Sequence, residues 1–441
     1  MRSVNLLLLL ISVLITAPPF HQRVAQTPDA GSLKSPRLRQ LQNEVNAGKP
    51  DAVAVFWQDA ARKETPLVEP IPGDNENVYI TFLWREKKDT RVIINADFPK
   101  SVQEMQLFRL ADTDVWYKTY RMRNDARFLY QFAVDDPNFP FVGDGPTRYP
   151  TKFQTDPLNP RQYNRFKPNI FSVVELPKAK KSPWTTRDPD IPKGLVGRLN
   201  EPFKSKILSN ERKIFIYKPP GFTTEGPRYP LLIMGSTYVS TIPLPIMLDN
   251  MIAKGVIPPV TVLFVDYPDG ETQNRELSCD AKYGEFLAKE LIPAQRDLLH
   301  ATSDPSLITT GGASMSGLSA TCLALQHPDV FGNVISQSGS FWWSPPNDSE
   351  DEWLTRQYAK NPRLPVRFFI SIGLLESEQA LRGGLPSMLH ANRHFRDVLQ
   401  AKGYDVVYHE INAGHDPLNW QTTLPDLLLA LFANRKVAPA R

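Results

Sequence analysis

Hydrophobic and polar positions change their spacing along this chain, and the changes divide it. Short runs of alternating character occupy residues 78–86, 90–97, 105–110, 115–122 and 127–135, with Asp, Asn, Gly and Pro between them. A period of two at regular intervals predicts strands of an antiparallel β-sandwich. Ahead of them, residues 26–50 are polar and predict one helix over 38–47, and from Ala52 the pattern reads as strand. Residues 137–183 are rich in proline and carry no period, which predicts ordered loops or a linker. Beyond a boundary near 182–197, apolar strand patterns at 213–220, 230–235, 260–266, 307–311, 333–339, 366–373 and 406–411 alternate with helical patterns at 244–253, 281–300, 315–327, 388–402 and 420–434. Strands interleaved with amphipathic helices predict a mostly parallel, doubly covered sheet, an α/β fold. The expected domains are a sandwich over 35–150, a proline-rich connector over 151–197 and an α/β domain over 198–441.

Composition changes this picture little. A chain of 441 residues with 22% charged and 41% hydrophobic residues is long enough for two cores. The net charge of +4 is small, and Lys178-Ala179-Lys180-Lys181 is a short basic run among prolines, so nucleic acid is not an expected partner. Arg2 followed by an apolar stretch over 6–15 and Pro18-Pro19 is too short for a stable membrane span and fits a secretory signal ending near residue 25, hence a periplasmic or secreted protein. Cys279 and Cys322 are the two cysteines, and Cys322 falls on the apolar face of a predicted helix, where a buried free thiol is expected. His390 and His394 have helical spacing but lack the glutamate and third ligand of a zinc protease. Neither metal nor cofactor is expected.

The chemistry concentrates at residues 307–343. An apolar strand enters Gly311-Gly312-Ala313-Ser314-Met315-Ser316-Gly317 and a helical pattern leaves it. A serine on such a turn projects its hydroxyl from the sheet end, and the helix N-terminus behind it offers free N–H groups to an oxyanion. The spacing departs from Gly-x-Ser-x-Gly, because Ser316 holds the second glycine position. A nucleophilic serine needs a base. Of the seven histidines, only His415 sits in a small-residue loop after the last strand, Asn412-Ala413-Gly414-His415-Asp416. The third member should be a carboxylate after the penultimate strand. Glu376 and Glu378 both fit, with Glu376 nearer the strand end; a salt bridge to Arg382 is its alternative role, and Asp416 is poorly placed to reach the ring. The backbone N–H groups of Met315 and Ser236 are the candidate oxyanion donors, each contributing about 3 kcal/mol.

In combination, TFLWRE and DTDVWY in the first domain, TDPLNP in the connector, and IPPV, NREL, GASMSGL, HPDVFGNVISQSGSFWW, GLLE and AGHD in the second resemble the enterochelin (enterobactin) esterases of the α/β-hydrolases. The resemblance implies an α/β-hydrolase domain behind a β-sandwich that helps cover the site, a Ser314, His415, Glu376 triad, and hydrolysis of a small-molecule catechol trilactone ester. It also implies that Arg275, in NREL, and the flat rings of Trp342 and Trp343 meet substrate. Met234 stands where the family usually carries Asp. Feruloyl and acetyl-type carbohydrate esterases, acyltransferases of the same fold and a non-catalytic siderophore- or glycan-binding protein are the alternatives.

Overall fold

The computed structural model describes residues 33–99, 102–137, 152–166, 169–377 and 387–433. The expected signal, Glu378 and Arg382 lie outside them.

The helix Pro36–Asn46 starts where the sequence favours it. Pro36 opens it and the Ser35 hydroxyl accepts the Leu38 N–H at 3.2 Å. Residues 52–63 are helical, not extended: Ala52, Phe56 and Ala60 fall four apart on one buried face, beside Trp57.

Eight strands then make two antiparallel sheets: β1 (Leu67–Ile71), β2 (Asp74–Arg85), β3 (Val92–Asn95), β4 (Phe108–Arg109), β5 (Val115–Arg123), β6 (Arg127–Val134), β7 (Gln162–Phe166) and β8 (Asn169–Glu175). One sheet runs β1-β2-β5-β4 and the other β3-β6-β8-β7. Ile80 and Phe82 meet Ile94, Phe128, Tyr130 and Phe132 in the layer between them. The expected strand over 105–110 shrinks to β4, because residues 102–105 form a helical turn. The passage read as a connector supplies β7 and β8, so the sandwich runs on to residue 175. Prolines flank this hairpin and obscured its strand signal.

The second core belongs to an eight-stranded sheet. Its strands are β9 (Leu195–Arg198), β12 (Ile214–Lys218), β13 (Leu231–Gly235), β14 (Thr261–Val265), β15 (Ile308–Ala313), β16 (Asn333–Gln337), β17 (Arg367–Gly373) and β18 (Asp405–Ile411); the ribbon β10 (Phe203–Ser205) and β11 (Asn210–Arg212) stands apart. Their order is β18-β17-β16-β15-β13-β14-β12-β9, parallel from β18 to β14 and antiparallel at β12 and β9. Every residue of β14 and β16 is buried, as strands covered on both faces require. This is the α/β-hydrolase arrangement, with the strand C-termini gathered on one edge.

Cys279 is not free of Cys322: the two form a disulfide with their Cα atoms 5.4 Å apart. The turn after the helix Gly270–Leu277 lies over the helix Met315–Gln326, and Gln326 Nε2 donates to the Cys279 carbonyl at 3.1 Å. Forty-three residues separate them in sequence, too many for local spacing to reveal the contact.

Candidate active site

Ser314 stands between β15 and the helix Met315–Gln326 with φ 57° and ψ −125°. This is a strained conformation for a residue with a side chain, and it persists because the strand and helix on either side leave no alternative. The turn is tight enough that a Cβ on Gly312 would come within 2.4 Å of Ser316 Cβ. Gly312 therefore makes the room that lets Ser316 replace a second glycine. Gly317 has the same function one turn on, where a Cβ would meet Ser336 Oγ at 2.7 Å. The Met234 sulfur occupies the hollow over Gly311, 2.8 Å from where a Cβ would lie, so the departure at that position is a packing contact under the elbow.

The loop between β18 and the helix Pro417–Phe432 brings His415 to this serine. Its Nε2 lies 3.0 Å from Ser314 Oγ, and its Nδ1 lies 2.7 Å from Glu376 Oε2. Glu376 follows β17 and is 2% exposed. Its second oxygen accepts from Ser338 Oγ at 2.7 Å, the Gly373 N–H at 2.9 Å and Asn419 Nδ2 at 3.3 Å. With three donors on one oxygen, Glu376 serves as an acceptor, so the proton between it and the ring is assigned to Nδ1. The lone pair on Nε2 then faces the Ser314 hydroxyl. Trp420 meets the imidazole edge-on at 5.2 Å and also donates to Ser338 Oγ at 3.1 Å, so one indole walls the ring and steadies the glutamate's donor.

Asp416 does other work. Its Oδ1 caps the helix Pro417–Phe432 through the Asn419 N–H at 3.0 Å, and its Oδ2 accepts the Leu129 N–H of β6 at 3.2 Å. Burial, reinforced by the nearby charge of Asp97, pushes its pKa up to about 6.

The candidate oxyanion donors fare differently. Met315 is the first residue of its helix, so its N–H has no partner within it. Ser236 N–H donates to the Val265 carbonyl at 2.9 Å, which extends the β13–β14 ladder by one residue and removes it from the role. The following residue, Thr237, opens the short helix Thr237–Ser240 and has no acceptor inside it.

The three residues expected to meet substrate differ in their surroundings. Trp342 and Trp343 follow Ser340, whose hydroxyl lies 3.5 Å from Ser314 Oγ, and both are half-buried against the core. Trp343 stands edge-on to Trp353 at 6.2 Å, while the preceding Phe341 is fully core, 4.2 Å from Phe395. Arg275 is 57% exposed, and its guanidinium lies 4.0 Å from both Glu276 and Asp280. The glutamate of NREL is instead fully buried with Arg212, joined by bonds of 2.8 and 2.9 Å.

Sequence reasoning missed Ser338, Asn419 and Asp97. Asn419 carried a signal, three residues past Asp416 on a helix face. Asp97 carried none, since it reaches the site from the sandwich: its carboxylate accepts the His415 backbone N–H at 2.6 Å.

Fold and site together define an α/β-hydrolase with serine, histidine and glutamate hydrogen-bonded in series at a strand–turn–helix junction. Residues 205–431 match the family described as "Putative esterase", and residues 79–185 match "Enterochelin esterase, N-terminal". The chain is 31% identical over 414 residues to an iron(III) enterobactin esterase of Dickeya dadantii, covering 84% of this chain and 91% of that one. An iron(III) salmochelin esterase of Escherichia coli O6:H1 is 24% identical, over 88% of this chain and 96% of its own. Among solved structures, an enterobactin esterase from Shigella flexneri in the presence of enterobactin superposes with TM-score 0.66 at 24% identity, over 86% of this chain and 98% of that one. The ferric enterobactin esterase of Salmonella typhimurium gives 0.67 at 24% identity, over 85% and 98%. The chain belongs to the enterobactin (enterochelin) esterase family and is a carboxylic ester hydrolase.

Proposed function

We propose that this protein is a serine esterase that opens the ester bonds of a catechol trilactone siderophore through an acyl-enzyme. The observation that carries the mechanism is the continuous series Ser314 Oγ, His415 Nε2, His415 Nδ1 and Glu376 Oε2, with spacings of 3.0 and 2.7 Å. His415 takes the Ser314 proton as Oγ attacks the ester carbonyl, and Glu376 stabilises the imidazolium that forms. The carbonyl oxygen becomes an oxyanion held by the Met315 and Thr237 N–H groups. Collapse breaks the ester C–O bond, the leaving alkoxide takes the proton from His415, and a water activated by the same imidazole releases the acid.

The substrate class rests on the relatives named for enterobactin and salmochelin, which match along both domains. The rings of Trp342 and Trp343, close in sequence to Ser340, are suited to stack on a catechol. We place the protein in the periplasm or outside the cell. The basic and apolar start of the sequence supports this, as does the Cys279–Cys322 disulfide, a bond that persists in oxidising compartments.

The test is a comparison of purified protein on iron-loaded and iron-free trilactone, a feruloyl ester and p-nitrophenyl acetate. The trilactone should exceed both other esters in kcat/KM by at least about 100-fold, a margin that differential contacts to a large substrate can supply. Rapid feruloyl ester cleavage without trilactone cleavage would overturn the substrate assignment and leave the serine chemistry intact.

A further inference from the structure

The loop that carries His415 is held in part by the other domain. Arg127 N–H, at the start of β6, donates to the Asn412 carbonyl at 3.0 Å, Asn412 Nδ2 donates to Asp125 at 2.8 Å, and Asp416 accepts from Leu129 of β6 at 3.2 Å. The bond closest to the chemistry is the one from the His415 amide itself to Asp97 Oδ2, at 2.6 Å. Asp97 sits two residues beyond β3, and its carboxylate is pressed against the loop so closely that a Cβ on Gly414 would lie 2.5 Å from the same oxygen. Glycine at 414 is thus the residue that admits the carboxylate.

The contact has a mechanical consequence. Glu376 fixes the ring of His415 through Nδ1, but a bond to a ring leaves the Cα free to shift and the ring to swing with it. A second anchor on the backbone N–H of the same residue removes that freedom. A charge-assisted bond to a carboxylate is the strong form of such an anchor.

We propose that Asp97, a residue of the sandwich domain, is a positioning residue for the general base: its carboxylate fixes the His415 backbone so that Nε2 stays within reach of the Ser314 hydroxyl. The N-terminal domain then completes the catalytic geometry as well as covering the site. This inference rests on the reading of His415 as the base.

The test uses the full-length protein, with steady-state hydrolysis of p-nitrophenyl acetate and the rate of Ser314 labelling by a fluorophosphonate. Both probes are small, so neither depends on siderophore recognition. Misplacing a catalytic group by about 1 Å costs on the order of 100-fold, so Asp97→Ala should lower kcat and the labelling rate by about 10- to 100-fold with KM unchanged. Asp97→Asn, which keeps an acceptor oxygen, should recover most of the loss. Gly414→Ala, which drives a methyl group into the carboxylate, should reproduce Asp97→Ala, and it reads the same contact if Asp97→Ala does not fold. Wild-type rates in Asp97→Ala and Gly414→Ala would overturn the proposal, as would an Asp97→Asn variant no better than Asp97→Ala. His415→Ala run alongside separates the two readings, since full labelling in that variant refutes the base and the anchor's role with it, whereas loss of labelling there beside wild-type rates in Asp97→Ala and Gly414→Ala refutes the anchor alone.

Discussion

At the scale of single residues, the site is a set of hydrogen bonds with little freedom to be rearranged, and Glu376 shows what this predicts. Its Oε1 is committed to Ser338, the Gly373 N–H and Asn419, so Glu376→Gln would seat its amide oxygen there and turn its NH₂ toward His415 Nδ1. The ring would then carry its proton on Nε2 and offer Ser314 a donor instead of an acceptor. A kcat lower by about 10⁴ with the fold retained is the expected result of that wrong tautomer, measured by steady-state hydrolysis. Asp416, the buried acid next to His415, affects stability. Its pKa rises from the ordinary 3.8 to about 6, so between these values the unfolded chain releases a proton that the folded protein keeps. The folded state is therefore favoured most below the lower value and loses about 3 kcal/mol from this group as pH climbs to the higher one, after which the cost is constant. Thermal midpoints followed from pH 4 to pH 7 should fall less in Asp416→Asn than in the wild type, and parallel profiles would refute the shift. The hydrogen-bonded series of Ser314, His415 and Glu376 was foreseeable in the sequence because chain order and strand ends limit the choice. The bond that ties Ser236 to Val265 was not, because it extends the ladder one residue past β13.

At the scale of elements, the sequence was clearest where burial enforces a period. Every strand from β12 to β18 in the large sheet falls on its apolar run, with β15 continuing two residues past it and β18 starting one residue before it, and the helix Met388–Ala401 begins where its pattern does, under a Ser387 cap. Edge and flanking pieces were lost. β9 is largely exposed, so it has no apolar run to notice. The β7–β8 hairpin sits among prolines, and the run expected over 281–300 is interrupted by a π-helical turn at Phe286–Leu291 that helical periodicity does not distinguish. The helix Ala52–Lys63 was misread although Ala52, Phe56 and Ala60 already had helical spacing, because two valines and two aromatic residues in the same stretch favour strand by composition. The elbow departs from the usual glycine pattern without losing its geometry, since Gly312 and Gly317 divide the close approaches between them.

At the scale of the whole molecule, contacts between distant segments escaped the sequence, and those made by the sandwich are what joins the domains. The disulfide from Cys279 to Cys322, the bonds from β6 to the His415 loop and the Asp97 anchor all link residues whose proximity no local pattern records. Leu129 and Val173 of the sandwich pack with Leu418 of the C-terminal helix, so apolar contact continues across the same junction. The domain that first reads as an accessory cover is built into the position of His415. The central claim is that one serine, activated by that base, forms a covalent intermediate. Intact-mass measurement after exposure to a fluorophosphonate tests it most directly: the wild type should gain a single adduct, mapped to Ser314, with loss of trilactone hydrolysis in step with labelling, and Ser314→Ala should gain none and turn over nothing. An adduct on another residue, or trilactone hydrolysis by Ser314→Ala at the wild-type rate, would contradict it.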